Sequence, residues 1–179
     1  MAEGEAPDDA VIAQIAESVS ALDAGQWDAL NCAANPFVGH AFLAALEESG
    51  SVGTGTGWSP APIVIRDADG QLAGALPAYL KSHSQGEYVF DHAWADAYER
   101  AGGRYYPKLQ IAAPFSPVPG PRLLARDDET ALKLLRAAES VVLQNGLSSA
   151  HATFVDTAQL DLFRKAGWLE KGYRPRSAW

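Results

Sequence analysis

The chain has 179 residues, 47% of them hydrophobic and 20% charged, which is the composition of one globular domain with a substantial core and excludes a disordered chain. Its formal net charge of −8 repels nucleic-acid phosphate, so DNA is not an expected partner. The acidic start MAEGEAPDDA lacks the basic and apolar regions of a signal peptide, no apolar run reaches membrane-spanning length, and the single cysteine has no partner for a disulfide or metal site. The expectation is a cytoplasmic protein with no membrane span and with Cys32 as a small buried residue.

Over residues 8–22, Val11, Ile12, Ile15, Val19 and Leu22 fit a helix behind an Asp cap, while Val11, Ala13 and Ile15 alternate as in a strand. Both readings stay open. Trp27 and Leu30 predict a short helix over residues 25–30. Asn35-Pro36 pairs a cap with proline at the first helical position and predicts a helix that buries Phe37, Val38, Ala41, Phe42, Ala45 and Leu46 and stops at Gly50. Residues 49–59, SGSVGTGTGWS, read as a mobile surface loop. Their glycine spacing is not a phosphate cradle, because a strand follows where a helix N-terminus is needed.

Residues 62–66 and 71–80 flank Asp67-Ala68-Asp69-Gly70 as an antiparallel hairpin, and Pro77 demands an edge position or a bulge. Further strands are predicted at residues 86–90 and 109–113, with a short helix over 91–98 that is ended by Gly102-Gly103. Residues 127–144 are the clearest helix: an Asp cap, acids in the first turn, an apolar face, and an Asn145-Gly146 stop. A strand at 149–155, a helix capped by Asp156, and a final strand at Trp168-Leu169 complete the order. The fold class is α/β or α+β, a mixed, largely antiparallel central sheet with helices on both faces.

Most of the polar and aromatic chemistry falls between Ala78 and Leu124. His83, Glu87, Asp91 and His92 offer nitrogen and oxygen ligands, but their spacing matches no compact metal motif, so hydrogen bonding ranks ahead and no metal is expected. His92 or His83 near Asp91 suits a general base for an amine or hydroxyl, against a competing capping or loop-fixing role for Asp91 and His92. Tyr98, Tyr105 and Tyr106 suit substrate positioning or proton donation, or else close a core edge. Lys108 and Arg104 suit an anionic group, with surface solvation as the default. No nucleophile elbow, Cys-His signature, Walker loop or dinucleotide fingerprint is present, which leaves chemistries run by positioning, such as acyl transfer from an activated donor.

Several strings carry a family resemblance: Asn35-Pro36-Phe37 with His40-Ala41-Phe42-Leu43, Tyr79-Leu80-Lys81-Ser82-His83-Ser84, Gly86-Glu87-Tyr88-Val89-Phe90-Asp91, Trp94-Ala95, Tyr105-Tyr106-Pro107-Lys108-Leu109, Pro114-Phe115-Ser116-Pro117-Val118 and Gly120-Pro121-Arg122-Leu123-Leu124. Over about residues 15–169 the chain resembles the bacterial FemAB-like peptidoglycan biosynthesis/recognition proteins, a branch of the GNAT acyltransferase superfamily. The resemblance implies a GNAT-like fold and an N-acyltransferase that moves an acyl or aminoacyl group from acyl-CoA or aminoacyl-tRNA to an amine on a small-molecule or peptide acceptor. On that reading His92 or Glu87 is the base, Tyr105, Tyr106 and Lys108 shape the acceptor pocket, and His83, Asp91 and Trp94 are further substrate contacts.

Such proteins resemble two tandem GNAT-like halves, so residues 1–179 are expected to form one domain matching the first half, with the second half absent. The superfamily's pyrophosphate loop is approached at Gln71-Leu72-Ala73-Gly74-Ala75-Leu76 and Arg164-Lys165-Ala166-Gly167-Trp168-Leu169, but neither completes the pattern. The alternative is a non-catalytic recognition or scaffold domain that binds a peptide- or glycan-like ligand or a partner half, with self-association through the uncovered face.

Overall fold

The computed structural model of the chain describes residues 13–89 and 92–171. Among these residues eight strands form two four-stranded sheets. The first has the order β1 (Ala13–Ile15), β3 (Ile63–Arg66), β4 (Leu72–Leu76), β7 (Leu124–Ala125), all antiparallel. The second has the order β2 (Trp58–Pro60), β5 (Ala78–Lys81), β6 (Lys108–Ile111), β8 (Ala150–Ala152), antiparallel except for the parallel pair β6 and β8.

The single sheet expected from the sequence is thus divided, and the cause is local. The β2–β3 and β4–β5 segments form one long ribbon in one register, with Pro60 opposite Tyr79 on one side and Ile63 opposite Leu76 on the other, so Pro62 faces Pro77. Two facing prolines have no N–H to give, and the ladder breaks there. Ala61 N–H to Ala78 O (2.9 Å) and Ala112 N–H to Pro77 O (3.1 Å) carry the chain across the break. Pro77 therefore marks neither a free edge nor a bulge but the seam between two sheets.

Helices cover both faces of the first sheet. Helix α4 (Asp128–Gln144) buries Ala131, Leu134, Leu135, Ala138 and Val141 against Ile63, Ile65 and Leu76 and, across the seam, Ala78, Leu109 and Ile111. It lies close because Gly74 lacks a side chain: a Cβ there would stand 2.8 Å from Thr130 Cγ2 and 3.0 Å from Leu134 Cδ1. Helix α5 (Leu160–Lys165) extends this layer through Phe163. On the opposite face α1 (Ala24–Leu30) and α2 (His40–Glu48) bury Trp27, Leu30 and Leu43 against Val64, Ala75 and Leu124. Each fully buried side chain of this kind contributes roughly 1.5–3 kcal/mol. The class read from the sequence, a mixed α+β architecture with helices on both faces, is the observed one.

Several local expectations change. The open stretch near the start is a strand over Ala13–Ile15; Val11 and Ile12 lie outside the described residues. Asn35-Pro36 begins only a 3-10 turn, Pro36–Val38, and α2 starts anew after Gly39. The glycine-rich segment is tied down: Val52 is buried, Gly53 bridges Trp58, and Trp58–Pro60 is strand β2. Residues 87–89 form no strand, because Tyr88 takes a left-handed conformation (φ 56°) and Glu87 turns inward toward two lysines. The segment Trp168-Leu169 is not a strand either: Trp168 packs on Phe163 and donates to Glu139 (2.8 Å), while Leu169 is 99% exposed. Cys32 is exposed rather than buried.

Candidate functional site

The face of the second sheet turned away from α4 is the polar one, with α2 reaching only its Trp58–Tyr79 end through Leu46. Strand alternation puts Trp58, Tyr79, Lys81, Lys108 and Gln110 there, while Ala78, Leu109 and Ile111 point to the core. In the β5–β6 register Lys81 stands directly opposite Lys108, and both are fully buried. Like charges so placed repel.

Glu87 resolves the conflict. Its carboxylate accepts from Lys108 Nζ at 2.8 Å and lies 3.9 Å from Lys81 Nζ, with its side chain 1% exposed. Lys81 also donates to Gln85 O (3.1 Å) and sits 3.6 Å from the centroid of the Trp58 ring, a close cation–π contact. Among the described residues Glu87 thus bridges the two lysines into one cluster. From it a chain of hydroxyls leads outward: Lys108 Nζ donates to Ser84 Oγ (3.2 Å), and Ser84 Oγ lies 2.6 Å from the half-buried Tyr106 phenol. Lysine only donates, so Ser84 can pass its own proton to Tyr106 and leave the phenol O–H aimed at an acceptor outside. Tyr105 packs edge-on against Tyr106, Tyr98 and His151, and its carbonyl accepts from Ser148 Oγ.

Two polar atoms deeper on this face have no hydrogen-bond partner among the described residues, the Tyr79 hydroxyl and Gln110 Oε1, from residues directly paired across β5 and β6. Burial pushes the Tyr79 phenol well above its ordinary range, and the Glu47 carboxylate adds to the shift.

The residues singled out from sequence divide into groups. Glu87, Lys108, Tyr105 and Tyr106 converge, but Glu87 is the counter-ion of two buried lysines rather than an exposed base, and Lys108 is buried rather than solvated. His83 sits at the rim: Nδ1 accepts from Gln85 N–H (3.2 Å), which fixes the proton on Nε2, and Nε2 donates to Thr56 O (3.1 Å). The imidazole thus ties the Thr56 loop to the Gln85 loop. Trp94 lies apart on α3 (His92–Arg100), 65% exposed, with Lys171 Nζ 5.6 Å from its ring. Arg104 is exposed and donates to Gly146 O (3.2 Å). Asp91 and the His92 side chain lie outside the described residues. Sequence reasoning missed Lys81, Ser84, Trp58 and Gln110 as site residues. The available signal was Lys108-Leu109-Gln110-Ile111, a strand polar at alternate positions between apolar ones.

Among the described residues no three His, Cys, Asp or Glu side chains converge as a metal site. An acyl-CoA pyrophosphate needs free N–H groups at a helix N-terminus. At α4 the Asp127 carboxylate takes the Thr130 N–H (2.7 Å), and Asp128 and Glu129 add charge of the wrong sign. Arg122, the nearby buried cation, spends its guanidinium on Thr153 O (2.9 Å), Pro121 O (3.0 Å) and Val118 O (3.1 Å). Burial lowers its pKa to about 10, against a smaller opposing effect of Asp156, which leaves it charged at neutral pH. These residues do not fit a pyrophosphate.

No helix among the described residues is long and apolar enough to cross a membrane. No curated protein matches the chain. The model of the FemAB-like family, described as peptidoglycan biosynthesis/recognition, matches residues 18–174, nearly the whole sequence, and the chain belongs to that family.

Proposed function

We propose that the chain serves N-acyl or aminoacyl transfer in peptidoglycan biosynthesis as an acceptor-holding domain, binding the peptide portion of a peptidoglycan precursor at the Lys81–Glu87–Lys108 cluster. One observation carries the reading: the face of the second sheet turned away from α4 holds the buried Lys81–Glu87–Lys108 cluster, joined to the surface by the Lys108–Ser84–Tyr106 chain of donors. Stem peptides present carboxylates and carbonyls, the groups that a charge-backed phenol donor attracts. Tyr105 supplies a flat apolar wall beside it.

The same site explains how an amine acceptor would be placed. With its carboxylate engaged at Tyr106, the acceptor's amine projects away from the buried lysines. The acyl donor is not assigned to this chain's α4, whose N-terminus the chain's own acids fill.

Calorimetric titration with a soluble disaccharide-pentapeptide and, separately, with acetyl-CoA tests the reading. Binding of the first and not the second is expected, weakened about tenfold by Tyr106→Phe, the worth of one charge-assisted hydrogen bond. Binding of acetyl-CoA without the peptide would replace it with an autonomous acyl-CoA-dependent transferase.

A further inference from the structure

Far from this cluster, strand β1 forms an outer edge of the first sheet. In an antiparallel ladder every second residue directs its N–H and C=O at the neighbour. Ala16 N–H bonds Pro62 O (2.8 Å), so in the same register Gln14 is the next residue bonded toward β3. Ala13 and Ile15 therefore point their backbone groups outward, where they have no partner among the described residues. Alongside runs a groove of about 350 Å³ between β1 and α4. Ile15, Ile63, Ile65 and Val141 supply apolar surface, and Ile15 is 49% exposed although it faces the core side of the sheet.

The charge of this groove runs against the rest of the molecule. Lys133 and Arg136 line it, no Asp or Glu does, and the chain as a whole carries −8. Lys133 pairs with Glu129 (2.8 Å), whereas the Arg136 guanidinium forms no ion pair among the described residues.

We infer that the β1 edge and this groove bind an extended acidic peptide of a partner protein, which adds a strand to the sheet. Outward N–H and C=O groups at Ala13 and Ile15 supply the main-chain bonds, and side chains at alternate positions of the added strand drop into the groove. A strand alternating apolar and acidic residues meets both parts of the site: apolar side chains on Ile15 and Val141, a carboxylate on Arg136. A second copy of this chain fits less well, because its own edge, Ala13-Gln14-Ile15, brings no acid to Arg136.

The test uses the full chain, isotope-labelled, and two synthetic hexapeptides blocked at both ends, one alternating glutamate with valine and one alternating lysine with valine. With the glutamate peptide, amide shifts at residues 13–15 and along the exposed side of α4 are expected, together with slowed hydrogen exchange at Ile15. The lysine peptide binds at least tenfold more weakly, and Arg136→Glu, at an exposed position that leaves the fold intact, reverses the preference. Shifts confined to α4 without protection of Ile15 would overturn strand addition. So would equal binding of the two peptides, or protection of Ile15 that appears with protein concentration alone, which would assign the edge to a second copy. Protection of Ile15 in the free chain that disappears on removal of residues 1–12 would assign it to the chain's own N-terminus.

Discussion

The two halves of one ribbon make a controlled comparison. Strands β3 and β4 continue into β2 and β5 with the same register, and the same helix α4 covers one face of both. On the other face the halves diverge. In the first sheet Val64 and Ala75 meet Trp27, Leu30 and Leu43 from helices, and the layer is apolar throughout. In the second sheet the equivalent face carries Lys81, Lys108 and Gln110 beside Trp58 and Tyr79, with Glu87 brought in between the lysines. Equal frame and unequal faces mean that the polar half is not what the fold requires. A protein selected for stability alone would bury Val or Leu at these positions, since a buried ion pair seldom repays its desolvation.

The largest expected effect breaks that comparison directly. Glu87→Ala removes the carboxylate that two buried lysines share and is expected to cost about 3–5 kcal/mol in urea unfolding. The simultaneous change Lys81→Met, Glu87→Leu, Lys108→Met turns the second sheet into a likeness of the first. Stability at or above that of the natural chain is expected, with loss of precursor binding. If the triple variant instead unfolds, the cluster is a structural necessity and its assignment to function fails.

Helix α4 was legible in the sequence because all its signals are local: the Asp127 cap, the apolar spacing and the Asn145-Gly146 stop lie within 20 consecutive positions or so. The hairpin at Asp67–Gly70 was legible for the same reason; Asp67 accepts from the N–H groups of Asp69 and Gln71 as turn chemistry dictates. What could not be read depends on register. That Pro62 faces Pro77, or Lys81 faces Lys108, follows from pairing between segments, and neither segment announces it. Residues 87–89 alternate like a strand, yet Glu87 is drawn to a lysine 21 positions away, and that long-range contact outweighs local propensity. The polar and aromatic density around residues 83–108 singled out Glu87, Lys108, Tyr105 and Tyr106, which the fold brings together. Lys81 and Ser84 carry no local sign of burial, since what buries them is the pairing of β5 with β6 and the contacts with Glu87 and Lys108.

A middle-sized effect tests how the loops at the rim of the polar face are held. Gly57 has φ 77°, and a Cβ there would stand 2.0 Å from His83 Nε2, whereas Gly55 has φ 82° and open space around it. Gly55→Ala therefore reports backbone strain alone, about 1 kcal/mol, and Gly57→Ala adds displacement of the ring that ties Thr56 to Gln85, for a total of about 2–3 kcal/mol. Combining Gly57→Ala with His83→Ala should recover part of the excess, a coupling that thermal unfolding of the four variants measures. Full additivity would show that the imidazole does not organise the two loops.

The smallest effect belongs to the apolar half and should leave the site untouched. Asp127 caps α4 by accepting the Thr130 N–H, and this hydrogen bond holds its carboxyl below the ordinary range. Asp127→Ala is expected to cost about 1 kcal/mol at neutral pH. The sign of its pH dependence follows from the depressed pKa: the folded state binds the proton less readily than the unfolded chain, so the stabilisation is complete above the unfolded value near 4 and is lost as pH falls through the folded value. The difference between natural chain and variant should therefore be flat from pH 7 to about 5 and shrink below about 4, while precursor binding at pH 7 is unchanged in both. A gap that persists undiminished in strong acid would mean that the side chain acts through packing and not through its charge. Acetyl-CoA binding that appears only in Asp127→Ala would mean that this carboxylate is what keeps a pyrophosphate from the helix.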